Sequence, residues 1–423
     1  MPPASSLFAI ALRYALLLVL LAFTVCAVRE GIAAYNFRQN TPAAVQKAMA
    51  WDPQNPAYPS TATKLIHLYG DYADPDLVIR LSQNALQLSP FEAAYCVDLA
   101  QAYDWAGRPA LAAPLFRRAL QLFPNSPEIN WKAANFYVRT GKSSEALPAL
   151  KKVLTSDAIS RNQVFALTLN ARIDTDTVIA DVLPLDASAF VEYLNFQVDR
   201  GDMAGAAKTW DHLLLLPSSI EIDQSFHYFD ALIKSRNISR ASQVWSSLAT
   251  RFPSRTPPPA SDENLVTNGN FHTDILNGGF GWRVYPVKGA EVTQPQSDSG
   301  SGGRYLRIDF DGSANPYYDA VAQFVRVKRN SRYTFTAMMR SIAITTDSGV
   351  CVQISDAYDP AKILGSTDSL SGSVPWSEHT FSFATGANTD LVLMKVVRPL
   401  SNKFDSKIAG SFGLRMVSIV TAR

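Results

Sequence analysis

Asp309 and Asp311 lie two residues apart in "RYLRIDFDG", a spacing that puts both carboxylates on one face of a strand. Two such groups flanking a glycosidic bond are the equipment of glycoside hydrolysis. At the end of a solvated strand they are also an ordinary polar pair, and the reading gives them that role. The five histidines form no HExxH or HxH set, and neither a GxSxG elbow nor a GxxxxGK[ST] phosphate loop occurs. The glycine-rich runs "GGFGW" and "SDSGSGGR" fall between strand-like segments with no helix after them, so turn chemistry explains them. Cys26, Cys96 and Cys351 belong to three separate segments without CxxC spacing, which predicts neither a disulfide framework nor a metal site. No catalytic residue, metal or cofactor is expected, and the chain does not read as an enzyme. A net charge of +2 with no long basic run gives no case for a nucleic-acid partner, and none is expected.

The elements that would carry any binding residues begin with "LFAIALRYALLLVLLAFTVCAV", residues 7–28, apolar except for Arg13. Such a helix rises about 1.5 Å per residue and crosses a hydrocarbon core of about 30 Å, with Arg13 placed to snorkel. The reading favours an uncleaved membrane anchor over a cleaved signal peptide. Val25 before Cys26 fits a lipoprotein signal poorly. Either way the remainder is expected to be exported, on the periplasmic or extracellular side. Arg29 and Arg38 follow the span so closely that charge asymmetry adds little to this.

Residues 40–253 carry a helical repeat. Tyr69, Tyr103 and Tyr137 recur every 34 residues, as do Gly107 and Gly141, Ala85 and Ala119, and Pro90 and Pro124. In residues 93–124, Leu99, Ala100, Tyr103, Ala112, Phe116, Ala119 and Pro124 resemble the tetratricopeptide-repeat signature. Small residues at Ala100, Ala112 and Ala119 let two antiparallel helices approach, and Pro124 ends the second. The pattern degenerates from about residue 158 to 185 and returns with Ala206 and Ala241, and Trp210 and Trp245, each pair 35 apart. The expectation is an all-α solenoid of about five or six hairpins whose groove binds a protein partner. Tyr69, Tyr103, Tyr137, Trp210 and Trp245 are expected in the core. Trp51, Trp105 and Trp131 are less constrained and are candidates to face the groove, although packing is favoured there too.

"SRTPPPASDE", residues 254–263, reads as a stiff polar linker. Beyond it period-two runs replace the helical period. In "RYTFTAMMRS", Tyr333, Phe335, Ala337 and Met339 share one face and Thr334, Thr336, Met338 and Arg340 the other. Short strands between Gly, Ser, Asn and Asp clusters indicate an antiparallel β-sandwich over residues 264–423. Asn264, Leu265, Asn268, Gly269, Phe271 and Trp282, in "NLVTNGNF…GGFGW", resemble the entry of the carbohydrate-binding-module and galactose-binding-like jelly rolls. That resemblance implies packing roles for Trp282 and Trp376. It also implies a calcium site using an acid after the N-G-x-F run and aspartates in the last strand. Here His272 and the run Leu414, Arg415, Met416 stand at those places, so calcium is not expected.

Sugar binding by such a fold needs an aromatic platform and planar polar groups. The candidates outside the expected core are Tyr317 and Tyr318, with Arg340 and Gln353 as hydrogen-bonding partners. The resulting picture is a multidomain chain: a transmembrane helix, a tetratricopeptide-type solenoid and a jelly-roll sandwich. Its expected role is a non-enzymatic, membrane-anchored exported adaptor joining a protein partner to a glycan, in surface polysaccharide biosynthesis or export. The alternative is a pure assembly scaffold with no sugar binding. A degenerate hydrolase would require a pair of acids in a cleft.

Overall fold

The first helix, α1 (Ala4–Phe37), does not stop where the apolar run ends but continues unbroken for another nine residues. In the computed structural model, which describes residues 4–69, 74–156, 160–217, 220–253, 264–296 and 303–422, its stretch Ile10–Phe37 contains an 18-residue window with a mean hydropathy of 2.3. That is long and apolar enough to cross a membrane or to be a signal sequence. After a turn through Asn40, Thr41 caps α2 (Pro42–Trp51) by accepting from the Ala44 amide, and Pro42 occupies the first turn. Ala33 and Phe37 of α1 then pack with Val45 and Ala48 of α2 and with Tyr58 and Leu65 of α3 (Ala57–Tyr69). The apolar helix is therefore also the first helix of the array.

The array continues as α4 (Pro75–Leu88), α5 (Ala93–Trp105), α6 (Pro109–Leu122), α7 (Pro127–Arg139), α8 (Ser143–Leu154) and α9 (Arg161–Asn170). Next come α10 (Thr175–Thr177), running into a π-helical turn at Val178–Val182, then α11 (Ala187–Asp199), α12 (Met203–Leu213), α13 (Phe226–Lys234) and α14 (Ile238–Arg251). One closing device recurs. Gly107, Gly141, Arg172, Gly201 and Arg236 all have positive φ. Behind each, an amide bonds the carbonyl five residues back: Arg108 to Tyr103, Lys142 to Tyr137, Ile173 to Thr168, Asp202 to Gln197 and Asn237 to Leu232, at 2.8–3.0 Å. This is the Schellman ending that turns one helix into its antiparallel partner. Ala100, Ala112, Ala119, Ala134 and Ala146 are fully buried where the helices meet, and Phe116 stacks on Phe136. Tyr137, Trp210 and Trp245 are core residues, as their spacing predicts.

By contact density the chain forms two compact units, Met1–Phe196 with Lys208–Leu216, and Gln197–Ala207 with Pro217–Arg423. The predicted linker at 254–263 lies outside the described residues. The second unit contains two five-stranded antiparallel sheets. The first has the order β1-β4-β9-β6-β7, from β1 (Arg283–Val284), β4 (Tyr318–Arg326), β9 (Leu391–Arg398), β6 (Cys351–Asp356) and β7 (Asp359–Ser366). The second has the order β2-β3-β10-β5-β8, from β2 (Ala290–Thr293), β3 (Leu306–Asp311), β10 (Ala409–Thr421), β5 (Arg332–Ile344) and β8 (Gly372–Ala384). Leu306, Ile308 and Phe310, with Tyr333, Phe335, Ala337 and Met339, face Val352, Ile354, Met394 and Val396 across the core. The Lys328–Ser331 turn does not close a hairpin: β4 and β5 lie in different sheets, so this turn carries the chain across the sandwich.

The entry run has a local explanation. The Asn264 amide donates to the Val417 carbonyl and accepts from the Ile419 amide, fastening the segment to β10. A Cβ on Gly269 would lie 2.0 Å from the Val417 oxygen, so only glycine fits there. Trp282 is buried, stacks on Phe271 and donates to the Asn268 carbonyl at 3.1 Å. "GGFGW" serves more than a turn. Gly279 lets the chain press against Trp245, to which a Cβ would come within 1.9 Å, and Phe280 packs edge-on to Phe229 and Trp245. Buried Arg283 binds Asp230 through both guanidinium nitrogens at 2.6 and 3.2 Å, and Tyr358 donates to the Ile233 carbonyl at 2.9 Å. Helices α13 and α14 thus cover part of the outer face of the first sheet.

Candidate functional site

The outer face of the second sheet is built by alternation along β3, β10 and β5. Leu306, Ile308 and Phe310 point inward, so Tyr305, Arg307 and Asp309 point out. On β10, Phe412 and Leu414 point inward and Ser411, Gly413 and Arg415 outward, with Gly413 opposite both Arg307 and Arg340. Because Gly413 has no side chain, Arg340 and Trp376 close over it; a Cβ would lie 2.9 Å from Arg340 Cγ and 3.0 Å from Trp376 Cη2. The Arg340 guanidinium sits against two rings that meet edge to face, 4.7 Å from the centroid of Tyr305 and 4.8 Å from that of Trp376. It also donates to the Tyr305 hydroxyl at 2.5 Å. Arg415 lies over the same indole at 4.3 Å. Contacts of this kind contribute about 0.5–2 kcal/mol each and hold a guanidinium plane in one orientation. Tyr305 is buried beneath the cluster, and Trp376 remains partly exposed at its rim.

The strands do not bring the four predicted sugar-binding residues together. Arg340 is on β5 of the second sheet, whereas Tyr318 and Gln353 belong to the first, which Tyr317 immediately precedes. Tyr317 is exposed just ahead of β4. Tyr318 is fully buried, edge-on to Phe310, and burial drives its phenol pKa well above the ordinary range; its ring offers no face to a ligand. Gln353 lies on β6 opposite Lys395 and Ser366, on the outer face of the first sheet. The family resemblance implies a packing role for Trp376, whereas its own strand pattern marks it as outward. In "WSEHTFSF", Trp376 shares its parity with Glu378, Thr380 and Ser382, while Phe381 and Phe383 fall on the other face. Arg415 could have been found likewise, from its alternation with Phe412 and Leu414.

Asp309 and Asp311 do not form an acid–base pair. Asp309 is engaged by Arg307 at 2.9 Å and by the Ser411 hydroxyl. Asp311 accepts from Ser313 across a turn, and those bonds hold its carboxyl below the usual range, the reverse of what a general acid needs. Among the described residues, no three His, Cys, Asp or Glu side chains converge as a metal site would require.

The first unit has a cleft of its own, about 810 Å³, between α3, α5 and α7. Trp105 and Trp131 face this region, Trp105 nearly half exposed. Its charges are paired: Lys132 with Glu128 at 2.7 Å, Lys64 with Asp98 at 3.8 Å, and Arg139 with Asp104. The bond from Lys132 holds the Glu128 carboxyl below its ordinary pKa. Three cations against three anions make the cleft close to neutral, unlike a basic clamp for acidic termini.

A tetratricopeptide-repeat family model matches residues 106–167. No curated protein matches the sequence. Among solved structures, a CBM4 carbohydrate-binding module is 16% identical with a TM-score of 0.29, over 37% of this chain and 99% of the module. PilW, a type IV pilus biogenesis factor, is 16% identical with a TM-score of 0.27, over 54% of this chain and 94% of PilW. MamA is 16% identical with a TM-score of 0.26, over 47% of this chain and 89% of MamA. At these identities no function carries across from them.

Proposed function

We propose that this chain is a non-enzymatic exported adaptor, held to the membrane by α1, that joins a protein partner to a glycan. The cleft between α3, α5 and α7 receives an extended peptide segment against Trp105 and Trp131. The outer face of the second sheet receives the saccharide, with the part of Trp376 left exposed beside the two guanidinium groups as the apolar contact and Arg340 as the oriented donor. Surface polysaccharide biosynthesis or export is the setting that suits such a pairing.

One observation carries the glycan half: a partly exposed indole and a ring-stacked guanidinium meet over a glycine on the outer face of the second sheet. Aromatic surface for the apolar side of a pyranose, beside fixed polar groups for its substituents, is what saccharide recognition requires. The test is a glycan array probed with the full chain in detergent and with Trp376→Ala. The proposal expects a saccharide class bound by the wild type and lost in the variant. Binding nowhere on the array, with the fold verified by circular dichroism, would overturn it.

The scaffold reading has an observation of its own. Helices α13 and α14 already occupy part of the first sheet through Arg283–Asp230 and Tyr358–Ile233, so this sandwich does serve as a packing surface. Array binding that survives unchanged in Trp376→Ala would remove the assigned face, and no binding at all would favour the scaffold.

A further inference from the structure

We infer that the saccharide taken by the second sheet is acidic, a polymer carrying hexuronate carboxylates; this rests on the glycan reading above and adds the ligand's charge to it. A neutral sugar offers hydroxyls, each of which donates and accepts, and a site for one needs acceptors as well as donors. The groups that stack on Trp376 are the guanidinium ions of Arg340 and Arg415, which only donate. Arg340, as a donor-only group, suits a ligand group that only accepts, and a planar carboxylate matches the guanidinium fork in shape as well as charge.

Glu291, Asp309, Asp311 and Glu378 share this face, and none of them pairs with Arg340. Asp309 is taken by Arg307 and the Ser411 hydroxyl. Glu378 is exposed on β8 opposite Met338. Arg340 has no ion pair among the described residues, and its polar contact is the Tyr305 hydroxyl. Its position is nevertheless fixed by the corner that Tyr305 and Trp376 form, by the bond to the Tyr305 hydroxyl and by the space above Gly413. A cation pre-oriented at an aromatic platform spends little entropy on binding an anionic ring substituent.

The experiment is affinity electrophoresis of the full chain in a neutral detergent, through gels containing polygalacturonate, its methyl ester or polyglutamate. The ester keeps the sugar backbone and removes the charge; polyglutamate keeps the charge and removes the sugar. Retardation by polygalacturonate alone, falling as salt is raised, is the expected result. Arg340→Gln should weaken it by about tenfold or more, the value of a charge-assisted bidentate bond, while the near-ultraviolet circular dichroism of the variant matches wild type. Equal retardation by acid and ester would overturn the charge assignment and leave the glycan reading standing. Equal retardation by polyglutamate would reduce the effect to non-specific polyanion binding and overturn the inference. Retardation by none of the three overturns it as well, and the glycan array then decides the parent reading. The comparison of polymers on wild-type protein holds whether or not the variant folds.

Discussion

Arg398 brings a full charge into the sandwich with none of its surface exposed. It is answered by oxygen atoms instead of a carboxylate. Its nitrogens donate to the carbonyls of Pro316, Ser348 and Ser406, to the Asn315 amide oxygen at 2.5 Å and to the Thr346 hydroxyl. One side chain therefore ties three loops at the end of the sheets, and removing it leaves buried acceptors with nothing to bond. Arg398→Met is expected to cost about 3–5 kcal/mol, measured by urea unfolding; a loss below about 1 kcal/mol would show that water replaces the guanidinium there. Asp356 gives the pH dependence. Burial alone would raise its carboxyl pKa, but the Thr389 hydroxyl, the Tyr358 amide and the charges of Lys362 and Arg236 outweigh burial and hold it below the usual value. A depressed carboxyl stabilises the fold fully above the unfolded value of about 3.9, and that stabilisation is lost as pH falls through the folded value. The urea midpoint of the wild type should fall below about pH 4, and Asp356→Asn should flatten that limb. An unchanged acid limb in the variant would place the effect on other groups.

Among the elements, the helical hairpins show what could and could not be read from residue types. Where glycine fills the left-handed position, at Gly107 and Gly141, the repeat was legible from spacing alone. Between residues 158 and 185 it was not, for two physical reasons. Arg172 takes the left-handed conformation in place of glycine, and the second helix is shortened to α10 and a π turn, which shifts the register of its apolar residues. The hairpin survives because the Ile173–Thr168 bond closes it regardless. Gly141→Ala should therefore destabilise the array by about 1 kcal/mol, while Arg172→Gly should stabilise it by a few tenths to about 1 kcal/mol. Thermal unfolding of the two variants would show opposite shifts, and a loss in both would mean that Arg172 is held by more than its backbone. The sandwich strands were legible by alternation, but which sheet each joins was not. That depends on long-range pairing, and it separates Arg340 from Gln353 although they lie 13 residues apart in the chain. At the other end of the chain, α2 runs back along α1 until the Trp51 carbonyl accepts from Arg29 Nε at 3.2 Å. With α1 spanning a bilayer as proposed, the exposed Trp51 ring lies at the headgroup level, where aromatic anchors collect. Brominated lipid should quench the fluorescence of the reconstituted full chain more than that of Trp51→Phe; equal quenching would remove Trp51 from the interface.

For the molecule as a whole, the division of labour follows from what each unit buries and what it leaves open. The first unit closes its helices over alanine and aromatic contacts and leaves a near-neutral cleft bearing Trp105. The second uses one sheet face to hold α13 and α14 and keeps on the other the cluster around Gly413. The central claim is that this second face receives a saccharide, and fluorine NMR tests it directly. The chain contains seven tryptophans, so the full protein labelled with 5-fluorotryptophan gives one resonance for each, assigned by single substitutions to phenylalanine. On titration with oligogalacturonate, the account predicts a saturable shift of the Trp376 resonance, with those of buried Trp210, Trp245 and Trp282 and of Trp105 and Trp131 unchanged. A shift confined to Trp105 or Trp131, or no shift at any position up to millimolar ligand, would contradict it.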